Sequence, residues 1–220
     1  MAQSVAAFFD SYSGNFNAIY GNQNTLLNHL INTLFRQSIR LRFCKTVEGC
    51  EPIQGRTILD VGCGPGQYAV TLAQKGAKKV CGIDFAERMI GLAIENAERA
   101  GVSNRCQFIT ADFYDYPIQD HFDYVIVMGF MDYARDPSRV IKKALSVTRR
   151  KAFFSFPVGG GALAWQRKLR YKNKCQLFLY TAEQVKSLFA GLNHQKLEVE
   201  KISRDFLVLF HMREVDKFDS

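Results

Sequence analysis

Thr57-Ile58-Leu59-Asp60-Val61-Gly62-Cys63-Gly64-Pro65-Gly66 is the stretch that decides the fold. An apolar run ends in a carboxylate and passes into three glycines at alternate positions, the pattern of a buried strand feeding a tight turn. Glycine has no Cβ, so such a turn bends sharply and brings backbone N–H groups against a ligand. The helix predicted next, Gln67 to Lys75, points its positive end at the same place. Strand, turn and helix together predict a nucleotide-type cofactor. Many α/β domains use such a turn only as a connection, so a second group is needed.

Val80-Cys81-Gly82-Ile83-Asp84 supplies one. It reads as a short strand one helix later, and its terminal carboxylate stands where a doubly wound sheet presents an acid to a ribose diol. Asp84 can also cap the helix that starts near Ala86, and the two roles are compatible. The dinucleotide fingerprint Gly-x-Gly-x-x-Gly does not fit, because the third glycine falls one place early.

Asp60-Val61-Gly62-Cys63-Gly64-Pro65-Gly66 resembles, position for position, the first motif of the class I S-adenosylmethionine-dependent methyltransferases. Two later segments extend the resemblance. Cys106 to Ala111 reads as a third strand running into Asp112-Phe113, where the family's acid reaches the adenine amino group and its neighbour packs on the ring. Phe122 to Met128 reads as the fourth strand, and Gly129-Phe130-Met131-Asp132-Tyr133 as the loop where cofactor and acceptor meet. The similarity runs over residues 55 to 157.

The resemblance implies a Rossmann-like, doubly wound α/β sheet, mostly parallel with an antiparallel last strand and helices on both faces. It implies S-adenosylmethionine as cofactor and S-adenosylhomocysteine as product, with no metal. The binding candidates are Asp60, Gly62, Cys63, Gly64 and Gly66 from the turn, then Asp84, Phe85 and Met89 from the second strand and its helix. Asp112, Phe113 and Met128 complete the set.

Length and composition fit one domain over residues 1–220: 47% hydrophobic content is enough for a sizeable core. The longest nearly continuous apolar run, Tyr124 to Met131, is too short to span a bilayer, and the N-terminus lacks a signal-peptide pattern. A cytoplasmic protein is expected. The six cysteines form no C-x-x-C pair and no ligand spacing, so neither a disulfide framework nor a zinc site is expected. Cys63 reads as a packing residue of the turn.

Before the core, residues 1–50 read as an N-terminal helical cap: an aromatic opening segment, then a helix whose Leu26, Leu27, Leu30, Ile31, Leu34 and Phe35 form one apolar stripe. Within the core, Met89, Ile90, Ala93 and Ala97 form the inner face of a helix from Ala86 to Ala100. Asp136-Pro137 is an N-cap pair for the next helix, and strand five is read as Ala152 to Phe156. Thr181-Ala182-Glu183-Gln184 has the form of a capping box, and Leu197 to Ile202 and Asp205 to Met212 read as paired closing strands. Between strand five and that capping box, residues 158–180 read as a substrate-covering insertion with a Gly159-Gly160-Gly161 hinge. Much of the net charge of +8 falls there, at Arg167, Lys168, Arg170, Lys172 and Lys174. These cations suit carboxylate or phosphate groups on a substrate, or simply a solvated face.

Methyl transfer needs a general base only where the acceptor is protonated at working pH. Position offers Asp132, Tyr133, Tyr20 and His194 for that role, with Tyr12 and His121 as further candidates. Absences narrow the acceptor. The Pro-Pro-aromatic loop of the family's nucleobase amine enzymes is missing, no Pro-Cys dipeptide occurs, and the Asp-Asn metal pattern of the catechol enzymes is not present. A small molecule is therefore expected as the acceptor in preference to a nucleic acid. Ile19-Tyr20-Gly21, Ser155-Phe156-Pro157 and Leu179-Tyr180-Thr181 resemble segments of O-methyltransferases acting on tetrapyrroles and quinone precursors, which implies an oxygen acceptor. Asp132 departs from that pattern, where a His is usual. The alternatives are an N- or RNA-directed methyltransferase and a non-catalytic S-adenosylmethionine-binding protein.

Overall fold

The computed structural model describes residues 26–160 and 176–213, with residues 26–37 described as backbone only. Helix α1 (Leu26–Gly49) leads into β1 (Thr57–Val61), α2 (Gln67–Gln74), β2 (Lys79–Asp84), α3 (Glu87–Arg99) and β3 (Cys106–Thr110). The chain continues through β4 (Phe122–Val127), α4 (Pro137–Ser146), β5 (Thr148–Pro157), α5 (Ala182–Phe189), β6 (Lys196–Ile202) and β7 (Asp205–His211).

The strands form one sheet in the order β3-β2-β1-β4-β5-β7-β6. Strands β1 to β5 pair in parallel, and β7 runs antiparallel to both β5 and β6. The Rossmann-like sheet expected from the sequence, with its antiparallel last strand, is therefore present. Central strands β1 and β4 are buried almost throughout, as parallel strands covered on both faces must be. Their side chains alternate. Leu59, Val61, Val125 and Val127 enter one core with α4 and α5, while Ile58, Tyr124 and Ile126 enter the other with α2 and the end of α1.

The helix starts follow their local chemistry. Asp136 accepts the Arg139 N–H at 2.9 Å with Pro137 in the first turn, and Thr181 and Gln184 close a reciprocal capping box. The inner face of α3 is Met89, Ile90, Ala93 and Ala97, as its spacing predicts. Strand β5 is longer than its apolar run. Its charged start, Arg149-Arg150-Lys151, lies outside the run read as strand five but joins the sheet: Thr148 pairs with Phe122 of β4, and Lys151 lies opposite Tyr124 of β4 and His211 of β7.

The apolar stripe of the N-terminal helix, the aromatic segment before it and the basic stretch from Arg167 to Lys174 lie outside the described residues or side chains. Among the described residues, no helix is long and apolar enough to cross a membrane.

Candidate cofactor and acceptor site

Beginning in mid-sheet at β1, the chain works outward to β3 and then returns to β4. The loops leaving the C-terminal ends of β1 and β4 therefore diverge, opening a crevice at the switch point.

On one side lies the glycine turn. Gly62 N and Cys63 N both donate to Ile83 O, at 2.8 and 3.1 Å, which ties the turn to β2. A Cβ on Gly62 would stand 2.9 Å from the Phe130 ring, and one on Gly66 would stand 3.0 Å from Ala93 of α3. Gly64 differs: it has φ +52 and only open space before it, a cradle that a ligand can enter. Cys63 turns its side chain inward beside Gly82, where burial first, then the charges of Asp60 and Asp84, hold the thiol well above its ordinary range. A packing residue fits this setting.

Asp84 ties the crevice together. Its Oδ2 accepts from Gly64 N and its Oδ1 from Ala86 N, both at 2.9 Å. The carboxylate thus supports the start of α3 as well as the turn, while Ala86 stands at the N-cap itself.

Beneath the turn, Asp60 is fully enclosed, and its Oδ2 has no hydrogen-bond partner among the described residues. Burial, followed by the negative charge of Asp84, pushes its carboxyl up to about 7. An unfolded Asp titrates near 3.9, so the folded chain holds this proton more tightly. The stability that results is fully present below about pH 4 and is lost as pH rises through about 7. Urea unfolding should therefore show Asp60→Asn gaining on the wild type, by a few kcal/mol, as pH rises across this window. A wild-type-to-variant difference that stays constant with pH would rule out the buried proton.

The far side of the crevice comes from β4 and β5. Gly129 N donates to Ser155 Oγ at 2.8 Å, and Arg42 Nη1 from α1 reaches the same hydroxyl at 3.3 Å and Asp205 Oδ2 at 3.4 Å. Burial alone would lower the Arg42 pKa, but Asp205, then Tyr68 and Asp132, hold it above its ordinary value. Asp132 is itself buried, and its backbone carbonyl accepts from Phe178 N at 2.9 Å.

Residues 53–190 match a family model described as a methyltransferase domain, and these residues make up well over half of the 220-residue chain. The chain belongs to the methyltransferase domain family. The ubiquinone biosynthesis O-methyltransferase of Coxiella burnetii is 33% identical to this methyltransferase over 131 residues, 58% of this chain and 51% of that one. The enzyme of the same description from Pseudomonas fluorescens is 33% identical over 105 residues, 47% of this chain and 45% of that one. The chain thus spans about half the length of these curated relatives. Magnesium protoporphyrin IX methyltransferase from Synechocystis, solved with SAH bound, superposes with a TM-score of 0.75 at 20% identity, covering 97% of this chain and all of that one. That likeness is one of fold.

The methyltransferase brings Asp60, Gly62, Gly64, Gly66, Asp84 and Phe85 to one end of the sheet, with Asp112, Asp132 and Tyr133 on the neighbouring loops. His194 is elsewhere. It precedes β6, which is parallel to β5, and so lies at the N-terminal ends of the strands, where it stacks on Phe210 at 5.4 Å. His121, immediately before β4, lies at that end too. Neither can serve a site at the opposite end. Tyr12 and Tyr20 lie outside the described residues.

Three side chains expected near a ligand are turned into the core. Met128 packs toward α1, its Sδ 3.9 Å from Thr46 Oγ1; Met89 is 2% exposed on the inner face of α3. The Phe113 ring, also 2% exposed, packs edge-on to Phe130 instead of lying open for an adenine. The half-buried part of this aromatic cluster is Phe130 with Tyr114.

Arg42 is the residue that sequence reading passes over. Ser38, Arg42 and Thr46 recur every four residues on the sheet-facing side of α1, and all three bond to the sheet or to one another. That polar series is the signal, but a search for apolar stripes discards it.

Proposed function

We propose that this methyltransferase moves a methyl group from S-adenosylmethionine to an oxygen atom of a small anionic or aromatic acceptor. The observation carrying the donor is the crevice itself: an open glycine cradle at Gly64, an acid at the end of β2, and an enclosed Asp60 oxygen without a partner among the described residues. Asp84 suits the ribose hydroxyls and Asp112 the adenine amine. The cation of Arg42 suits the carboxylate of the amino-acid end, while Asp60 suits its ammonium group. S-adenosylmethionine supplies a methyl group already activated by a sulfonium, so the chain's main task is alignment, which can be worth roughly 7–11 kcal/mol of barrier in favourable cases. For a protonated acceptor, Asp132 and Tyr133 are the groups on the β4 loop able to take up the proton.

The oxygen acceptor is supported by the likeness to ubiquinone biosynthesis O-methyltransferases and by a sequence after β4 that lacks a planar-amine loop. S-adenosylhomocysteine at about a hundred times its Kd should stabilise the fold by roughly 2.7 kcal/mol, seen as a rise in Tm, and NAD should leave Tm unchanged. An acceptor screen with methyl-labelled cofactor should then give turnover on phenols or carboxylic acids. Labelling confined to RNA, with steep salt dependence, would replace this reading with the RNA-directed one. Binding without any turnover would leave a cofactor-binding protein.

A further inference from the structure

Helix α4 fastens the loop that carries Asp112. Lys143 Nζ donates to two carbonyls of that loop, Tyr114 O at 3.0 Å and Tyr116 O at 2.7 Å. One turn earlier on the same helix face, Arg139 Nη2 donates to Tyr114 O at 3.1 Å and reaches Asp115 Oδ1 at 3.4 Å. Both cations also cover rings of the loop: Lys143 lies 5.2 Å from the Phe113 centroid and Arg139 lies 5.2 Å from that of Tyr114. Val140, Ile141 and Ala144 anchor α4 in the core, so its cations project from a rigid support.

The loop closes on Asp112. Its backbone carbonyl accepts from Asp115 N at 3.1 Å and Tyr116 N at 2.9 Å, and its Oδ1 accepts from Tyr114 N at 2.8 Å. With Oδ1 engaged inside the loop, Oδ2 is the oxygen through which Asp112 can meet a ligand donor. Each clamped carbonyl thus belongs to a residue whose own N–H holds Asp112.

We propose that Lys143, supported by Arg139, is a specificity-positioning residue: it fixes the 112–116 loop so that Asp112 reads the amino group of the adenine. This rests on the reading of Asp112 given above. A lysine that merely stabilised the domain would weaken every ligand equally, whereas a lysine that orients Asp112 sets the preference for an amine over a carbonyl at that place on the base.

The test compares S-adenosylhomocysteine with S-inosylhomocysteine, which carries oxygen where adenine carries its amine, by calorimetric Kd. The wild type should favour the adenosyl ligand by about tenfold or more, the worth of one charge-assisted hydrogen bond. Asp112→Ala should bring the ratio close to one, and Lys143→Met should narrow it by about fivefold. A Lys143→Met protein that binds both ligands more weakly at an unchanged ratio overturns the proposal. An unchanged ratio in Asp112→Ala shows that the reading of Asp112 itself is wrong, and the proposal falls with it. Arg139→Leu, at an exposed position, provides the deciding ratio should Lys143→Met not fold: narrowing supports the clamp and no change overturns it.

Discussion

Asp84→Ala should weaken S-adenosylhomocysteine binding by about a hundredfold or more, with charge-assisted hydrogen bonds worth about 1.5–3 kcal/mol each and 1.4 kcal/mol equal to tenfold. The Asp84 carboxylate is 9% exposed and already accepts the amides of Gly64 and Ala86. Removing it takes away the proposed ribose contact and also loosens the turn that forms the cradle. The two effects can be separated. Asp84→Asn retains one acceptor for an amide, so it should recover part of the lost Tm while binding the cofactor poorly. A 2′-deoxyribosyl analogue should bind the wild type worse than the parent ligand does, yet bind Asp84→Ala about equally. Unchanged cofactor affinity in Asp84→Ala would show that the ribose is held elsewhere.

Arg42→Met should destabilise the fold by about 3 kcal/mol, the usual cost of removing one partner from a buried ion pair. The Arg42 and Asp205 side chains are 14% and 7% exposed, and Asp205 also accepts from Ser38, so the variant takes one cation away from a buried carboxylate at the start of β7. Urea unfolding should show a lower midpoint with an unchanged slope. Adding Asp205→Asn should restore a substantial part of the loss, because the charge that Arg42 balanced goes with it. A loss below about 1 kcal/mol would mean that solvent screens the pair. The same variant tests the carboxylate role. Methylthioadenosine lacks the amino-acid end, so the wild-type preference for S-adenosylhomocysteine over it should shrink in Arg42→Met. A preference that stays the same would remove Arg42 from the cofactor site.

Parts of this molecule were readable because they obey short-range rules. Thr57–Val61, Lys79–Asp84 and Phe122–Val127 are apolar runs closed by turn residues, and each is a strand. Thr181 and Asp136 cap helices because a side-chain oxygen beside free amides acts locally. Where the reading failed, the deciding interaction was distant. His194 was a reasonable candidate base until the register of β6 put it at the wrong end of the sheet, a matter settled by pairing with β7. Met128 and Phe113 sit beside site residues in the chain, yet their side chains pack into the two cores, Phe113 in one and Met128 in the other. Arg42 was invisible because its partners Ser155 and Asp205 are 113 and 163 residues away.

By itself, the sequence determined the class of sheet, the glycine turn and the acids at or just past the ends of β1, β2 and β3, since these depend on residue type at fixed local spacing. Only the tertiary structure decided which acids are enclosed, which cation meets Ser155 and Asp205, and which aromatic rings stay half-buried. Burial, and with it the charge state of Asp60 and the pairing of Arg42, arises from segments far apart in the chain packing together, and no local pattern encodes that.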